Sequence, residues 1–328
     1  MDGMQAARRP RFAQIDRAAD DVAATIIDGL RAPQPAIAPR WFYDALGSRL
    51  AEAICELPQY YPTRTEAAIF AEHGAAIAQA AGRGRTLIDL GAGDCEKAAR
   101  LFTLLDPAQY VALDIAADFL RERLDCLQDR FPRLDIVGVA VDFAEHLVLP
   151  PMVEAGARLF FYPGSSIGNF SPDEALRFLR QVRAAGGDDA RLVIGVDLVK
   201  DAPLLDAAYD DALGVTAAFN RNLLNHVNRL AGTDFDVRDW RHVAFFNSAA
   251  SRIEMHLEAR RDVQVRVPAA AGAASRPLRF AAGDRIHTEN SWKYRPQDFA
   301  HLLQQAGFAH TTVWTDRAGW FAVMLARA

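Results

Sequence analysis

The chain has 328 residues, 51% of them hydrophobic and 24% charged, and a formal net charge of −5. That length carries a sizeable core and two domains. An acidic balance without a basic face argues against a nucleic-acid backbone or an anionic membrane as partner.

The N-terminal MDGMQAARRPRFAQID carries Arg8, Arg9 and Arg11 in a polar tail, which reads as solvated. It lacks an apolar h-region, so no secretory signal is expected. Residues 15–31 place Ile15, Val22, Ile26 and Leu30 at helical spacing. After the Pro-rich link APQPAIAPR, residues 41–70 read as two short helices broken at Leu57-Pro58. From Thr86 the pattern changes. TLIDLGAG, YVALD (110–114), LDIVGVAVD (134–142), RLFFYPG (158–164) and RLVIGVDLV (191–199) are apolar strands. Helical patterns at Glu96–Leu105, Ala116–Phe131 and Pro172–Ala185 separate most of them. Apolar strands alternating with helices predict a parallel sheet covered on both faces.

The alternation stops after Val199. A long helical stretch interrupted near Gly214 follows. RIEMHLEA (252–259) then alternates Ile253, Met255 and Leu257 with Glu254, His256 and Glu258. This predicts a half-buried antiparallel strand, with QVRVP and RIHTE as candidate partners. PAAAGAAS (268–275) reads as a loop. The chain closes with a helix, Pro296–Ala306, and the strands HTTVWTD and WFAVMLA, joined by Arg317-Ala318-Gly319. An antiparallel hairpin on a parallel sheet is a feature that dinucleotide dehydrogenases generally lack.

Three strand tips carry ligand-suited chemistry. Gly91-Ala92-Gly93 lies between a strand and a helix, where glycine lets a ligand approach the backbone. Only GxG is present; Cys95 and Glu96 stand where a dinucleotide fingerprint would have its third glycine. Asp114 ends the next strand and suits two ribose hydroxyls. Asp142 and Phe143 end the third, suited to an exocyclic amine and the face of an adenine. Each residue alone is ordinarily a turn, cap or core position; the three in order point to a nucleoside. The three cysteines, Cys55, Cys95 and Cys126, form no CxxC pair and read as reduced cytoplasmic thiols. The eight histidines show no HxH, HxxxH or HExxH spacing, so no metal site is expected. No apolar run approaches the roughly 20 residues of a membrane span.

The order of glycine loop, acidic tip and Asp-Phe tip, with the final hairpin, resembles the class I S-adenosylmethionine-dependent methyltransferases. Longer stretches narrow the likeness: WFYDALGS (41–48), LPQYYPTRTE (57–66), GSSIGNF (164–170), DLVKD (197–201), YDDALGVTAAFNRNLLNHVNR (209–229), RIEM (252–255) and TENSWKY (288–294). They resemble the histidine-specific N-alpha-methyltransferases of ergothioneine biosynthesis, from about residue 36 to the end. The resemblance implies three methyl transfers from S-adenosylmethionine to L-histidine, through its mono- and dimethylated forms, leaving S-adenosylhomocysteine. It implies cofactor contacts at Tyr43, Gly91, Lys97, Asp114, Asp142 and Phe143. Tyr60, Glu289 and Ser291 would hold the imidazole, with Met255 lining the ring pocket. Asn169 and Tyr209 would meet the amino-acid carboxylate and amine.

The departures are GAGDCEK, where serine or threonine is common in the loop, and SWKY in place of SCK. The expected fold class is α/β: a Rossmann-like sheet with an antiparallel C-terminal hairpin, plus a smaller α+β substrate domain. The cofactor core is expected at 62–199 and 293–328, the substrate domain at 12–61 and 200–292, in a cytoplasmic monomer. The rival readings are a methyltransferase for another amino acid or small amine, a nicotinamide-dependent oxidoreductase, and a cofactor-binding protein without activity.

Overall fold

A computed structural model describes residues 8–15, 19–144, 146–268 and 276–328. In chain order its strands are β1 (Arg11–Gln14), β2 (Thr86–Leu90), β3 (Gln109–Asp114), β4 (Asp135–Ala140), β5 (Arg158–Tyr162), β6 (Arg191–Asp197), β7 (Trp240–Asn247), β8 (Arg252–Ala259), β9 (Val263–Val265), β10 (Leu278–Phe280), β11 (Arg285–Trp292), β12 (His310–Thr315) and β13 (Phe321–Arg327). The chain forms two compact units. One comprises Met1–Asp16, Pro62–Leu198 and Tyr294–Ala328; the other comprises Arg17–Tyr61 and Val199–Lys293.

The first unit is built on one sheet of order β1-β4-β3-β2-β5-β6-β13-β12. Strands β1 to β6 pair in parallel, while β13 runs antiparallel to both β6 and β12. The fold is that of the class I methyltransferases, as the resemblance implies. The apolar runs are fully buried because both faces are covered. Ile88, Val111, Val137, Phe160 and Ile194 face one core layer; Leu87, Tyr110, Ile136, Phe161 and Val193 face the other, the two-residue period of a strand. Next to β2 lie β3 on one side and β5 on the other. The order therefore reverses there, and α/β folds place ligands at the carboxyl ends of strands at such a point.

Several details depart from expectation. The predicted helix Glu96–Leu105 is two short ones, Glu96–Ala99 and Phe102–Leu105. The basic tail is not solvated throughout, residues 12–14 do not belong to the second unit, and Val199 and Lys293, expected in the cofactor core, do. Arg11–Gln14 instead pairs with Val137–Ala140 at the sheet edge, and the Arg11 guanidinium donates to both oxygens of Asp135, at 2.9 and 2.7 Å.

The second unit carries a three-stranded antiparallel sheet, β11-β8-β7, and the separate pair β10-β9. Helices Ala19–Arg31, Ala45–Cys55, Ala202–Tyr209 and Val215–Ala231 belong to it. RIEMHLEA is β8, and RIHTE within β11 is its partner as expected. QVRVP is not: β9 pairs with β10, and the other neighbour of β8 is β7. The polar face of β8 is also less exposed than its alternation suggested. Glu254 takes Arg252, Asn247 and His256, and Glu258 lies between Arg241 and Arg285. The predicted loop at 268–275 lies outside the described residues from 269 on. Among the described residues no helix is long and apolar enough to cross a membrane.

Candidate functional site

In the first unit the loop after β2 is left-handed at Gly91 (φ 72°), Gly93 (φ 52°) and Cys95 (φ 64°). Backbone N–H groups of Gly91 and Ala92 both donate to Leu113 O, at 2.9 and 3.0 Å, which ties the loop to the end of β3. Asp114 completes the tie. One carboxylate oxygen accepts from Gly93 N and the other from Ala116 N, each at 2.9 Å. Burial raises its pKa even so. Each oxygen retains a lone pair for a hydroxyl. Asp142 and Phe143, both half-buried, follow β4. The Phe143 ring stands edge-on to Tyr162 at 6.1 Å, and a Cβ added at Gly91 would lie 3.7 Å from its Cζ. Gly91 thus keeps open the space beside the Phe143 ring.

Lys97 is engaged by the protein itself. Its Nζ lies 2.8 Å from Glu66 Oε2, and Glu66 Oε1 accepts from Gly164 N at 2.7 Å. Glu66 therefore binds the glycine-loop helix to the turn after β5. That turn is left-handed at Gly164 (φ 75°) and Ser165 (φ 59°), whereas Gly168 needs no such freedom. Ser165 Oγ accepts from Asp197 N at 2.8 Å, fixing the turn to the end of β6. A short 3-10 turn, Ser166–Asn169, then presents Asn169 half-buried. The helix that follows has the expected capping box of Ser171 and Glu174. Two carboxylates here had no assigned role in the sequence. Glu66 is the last residue of LPQYYPTRTE. Asp89, inside β2, accepts from Tyr110 Oη at 2.8 Å, while its other oxygen has no partner among the described residues. Burial pushes its pKa to about 7.

The second unit gathers Tyr60, Tyr209, Met255, Glu289 and Ser291. Tyr209 ends the helix Ala202–Tyr209, and its hydroxyl donates to Ser291 Oγ at 2.8 Å. The Tyr60 ring meets the Tyr209 ring edge-on at 6.1 Å. Strict alternation from Ile286, opposite Leu257, would turn Thr288 inward and Glu289 and Ser291 outward. A bulge between His287 and Glu289 breaks it, so Glu289 stands opposite Met255 and Ser291 opposite Ile253. The extra residue, Thr288, donates to Met255 O at 3.1 Å. Glu289 is therefore 9% exposed, and no described residue hydrogen-bonds its carboxylate. Burial raises its pKa to about 7, against the opposing pull of Lys293. Lys293, also unassigned in the sequence, donates to Ser291 Oγ at 2.7 Å and Tyr209 Oη at 3.0 Å. Tyr43 belongs to this unit and not to the one carrying the other cofactor residues. It is 38% exposed, edge-on to Phe219 at 6.1 Å. Among the described residues no cluster of His, Cys, Asp and Glu is arranged to hold a metal ion.

Residues 22–328 match the family described as histidine-specific methyltransferase, SAM-dependent. A histidine N-alpha-methyltransferase of Mycolicibacterium smegmatis is 42% identical over 315 residues, covering 95% of this chain and 96% of that one. Its namesake in Mycobacterium tuberculosis is 41% identical over 305 residues, covering 92% and 93%. Ergothioneine biosynthesis protein 1 of Neurospora crassa is 29% identical over 282 residues, covering 83% of this chain but 31% of that protein.

Proposed function

We propose that this chain, which belongs to the family of histidine-specific, SAM-dependent methyltransferases, methylates the alpha-amine of L-histidine three times. The product is N-alpha-trimethylhistidine (hercynine), so that the chain would catalyse the first step of ergothioneine biosynthesis. The observation that carries the substrate is Glu289: a buried carboxylate without a described partner, on one strand face with Ser291. An imidazole supplies what that pair lacks, an N–H for the carboxylate and a second nitrogen for the hydroxyl. Buried polar groups of this kind reject ligands that leave them unpaired. Met255, opposite Glu289, and Tyr60 give the ring its apolar walls.

S-adenosylmethionine, when bound, supplies the methyl group on a sulfonium and leaves as S-adenosylhomocysteine. The first unit fits it. Gly91 leaves the backbone open beside Phe143, a phenyl suited to the face of adenine, with Asp142 for its exocyclic amine. Asp114, fixed by two backbone donors, suits the ribose hydroxyls. Lys97 and Tyr43 complete the proposed contacts.

Methyl transfer is an in-line displacement, so the protein's main task is alignment of a lone pair. Asn169 offers both a donor and an acceptor to the amino acid's own groups, and the turn that carries it is held by Glu66 and Ser165. Tyr209 would lie by the amine. Its ring already has Lys293 Nζ 4.8 Å from its centroid, and an aromatic face suits the quaternary ammonium of the product. The test is mass spectrometry of the protein mixed with S-adenosylmethionine and the common amino acids. A gain of three methyls on histidine alone is expected; no product from any amino acid would refute the reading.

A further inference from the structure

Lys293 brings a cation to the proposed imidazole pocket of the second unit, acting on Glu289, and no motif suggested a role for it. It follows β11, is 3% exposed, and donates to Ser291 Oγ at 2.7 Å and to Tyr209 Oη at 3.0 Å. An ammonium has donors and no acceptor. Ser291 Oγ also receives the Tyr209 hydroxyl, at 2.8 Å. Two incoming donors use both lone pairs of Ser291 Oγ, so what it can direct at a ligand is its own proton. No described residue accepts that proton. Two residues earlier on the same strand face, Glu289 when ionised presents acceptors alone.

Among the described residues, the charge that acts on Glu289 is that of Lys293. Lys293 follows on the same strand and Tyr209 comes from the helix Ala202–Tyr209. From β8 comes the apolar Met255. His242 of β7 is turned to the Tyr209 carbonyl and the Asn220 amide, each at 2.8 Å, and burial lowers its pKa.

We infer that Lys293 sets the polarity of this pocket: it commits Ser291 to donate while Glu289 accepts, so the site takes a neutral imidazole with one N–H and one bare nitrogen and turns away imidazolium. The inference rests on the histidine reading above and makes Lys293 a specificity-determining and positioning residue. An imidazolium would set its second N–H against the Ser291 proton, while the Lys293 ammonium offsets the attraction that Glu289 alone would offer its charge. Removing Lys293 lifts both objections, because the hydroxyl pair can then turn to accept.

The experiment follows the ring-nitrogen NMR signals of isotopically labelled L-histidine bound together with S-adenosylhomocysteine, which prevents turnover, from about pH 5 to about pH 8. Free imidazole side chains titrate near about 6.5. In the wild type the bound ring is expected to stay neutral, as one tautomer, to at least about one pH unit lower. Lys293→Met should raise the ring's titration by about one unit or more relative to the wild type. Lys293→Arg, which keeps the charge and the donors, should keep the wild-type profile. S-adenosylhomocysteine affinity, by calorimetry, reports whether each variant is folded. If Lys293→Met binds no histidine, Ser291→Ala decides in its place, with the same upward shift expected. An imidazolium in the wild type at about pH 6.5, or a titration unmoved in the deciding variant, overturns the inference. A wild-type protein that binds no histidine overturns the functional reading, and this inference with it.

Discussion

Glu289 is taken out of water by a single extra residue, Thr288, in the strand that carries it. A carboxylate so placed is stable as an anion only when something donates to it. With histidine bound, that donor is the ring N–H. Hydrogen bonds to charged groups contribute about 1.5–3 kcal/mol, so Glu289→Ala should weaken histidine binding by roughly ten- to a hundredfold. S-adenosylmethionine affinity should stay within about twofold, since its proposed contacts lie elsewhere. Calorimetry with each ligand reads both, and equal histidine affinity in the variant would remove Glu289 from the site. Cys95 poses a different residue-scale question. It is fully buried in a left-handed conformation, and burial pushes its thiol pKa up, whereas Cys55 and Cys126 are exposed. The thiolate is the reactive form. Mass spectrometry after iodoacetamide treatment of the native protein should find Cys55 and Cys126 alkylated and Cys95 intact, with Cys95 reacting after denaturation. Rapid native labelling of Cys95 would show that the glycine loop opens.

At the scale of elements, the turn after β5 and the glycine-loop helix are joined through Glu66, and Gly195 leaves room for it. A Cβ at Gly195 would stand 2.2 Å from Glu66 Oε1 and 3.0 Å from Gly164 N. Gly195→Ala must therefore displace Glu66 and loosen both Gly164 and Lys97. Overpacking of this kind costs about 1–3 kcal/mol. The expected outcome is a lower urea midpoint together with weaker S-adenosylmethionine binding; loss of stability with unchanged binding would mean that the Glu66 link does not shape the site. The link could not be read from sequence, because it joins residues 98 positions apart. What could be read were local patterns. The runs that became β2 to β6 are apolar because helices cover both faces, and the helix Pro172–Ala185 starts where Ser-Pro-Asp-Glu puts a capping box. The strands β1 and β7 escaped for physical reasons. β1 has four residues and sits at an edge with polar ends exposed. β7 is mostly half-buried beyond Trp240, so its alternation is weak. The bulge in β11 turns Glu289 and Ser291 to the face that strict alternation from Ile286 would deny them, which a two-residue period cannot reveal. Their proposed roles came from the likeness of TENSWKY; their burial came from the fold.

For the whole molecule, stability against pH is a contest of opposite signs. Asp89 and Glu289 have pKa values raised to about 7 by burial. Over the interval from their ordinary values up to about 7, the folded state holds protons that the unfolded chain has lost. Stability contributed by these groups therefore falls as pH rises through that interval and levels off above it. His242, His256 and His287 have pKa values lowered, chiefly by burial, so the folded state takes up protons less readily there. Their contribution is present above the ordinary histidine pKa and is lost as pH falls below it. Glu254, lowered to about 2, adds stability that is lost only in stronger acid. Because the histidine and carboxylate effects overlap between about pH 5 and about pH 7, the wild-type curve alone assigns neither. The difference between Asp89→Asn and the wild type does, since the histidines cancel between two chains that share them. Asparagine can still accept from Tyr110, but it does not titrate. The difference in unfolding free energy, variant minus wild type, should rise with pH from about 4 to about 7 and then level off. At about 1.4 kcal/mol per pKa unit its total rise is at most about 4 kcal/mol. Its absolute level carries the separate cost of placing an amide N–H₂ where the unpartnered Asp89 oxygen now lies. That cost does not vary with pH, so the slope is the observable. Urea unfolding of both proteins, without ligands, in buffers from about pH 5 to about pH 8 measures it. A difference that is constant over this interval, or that falls, would show that Asp89 is ionised in the folded protein despite its burial between the glycine loop and Tyr110.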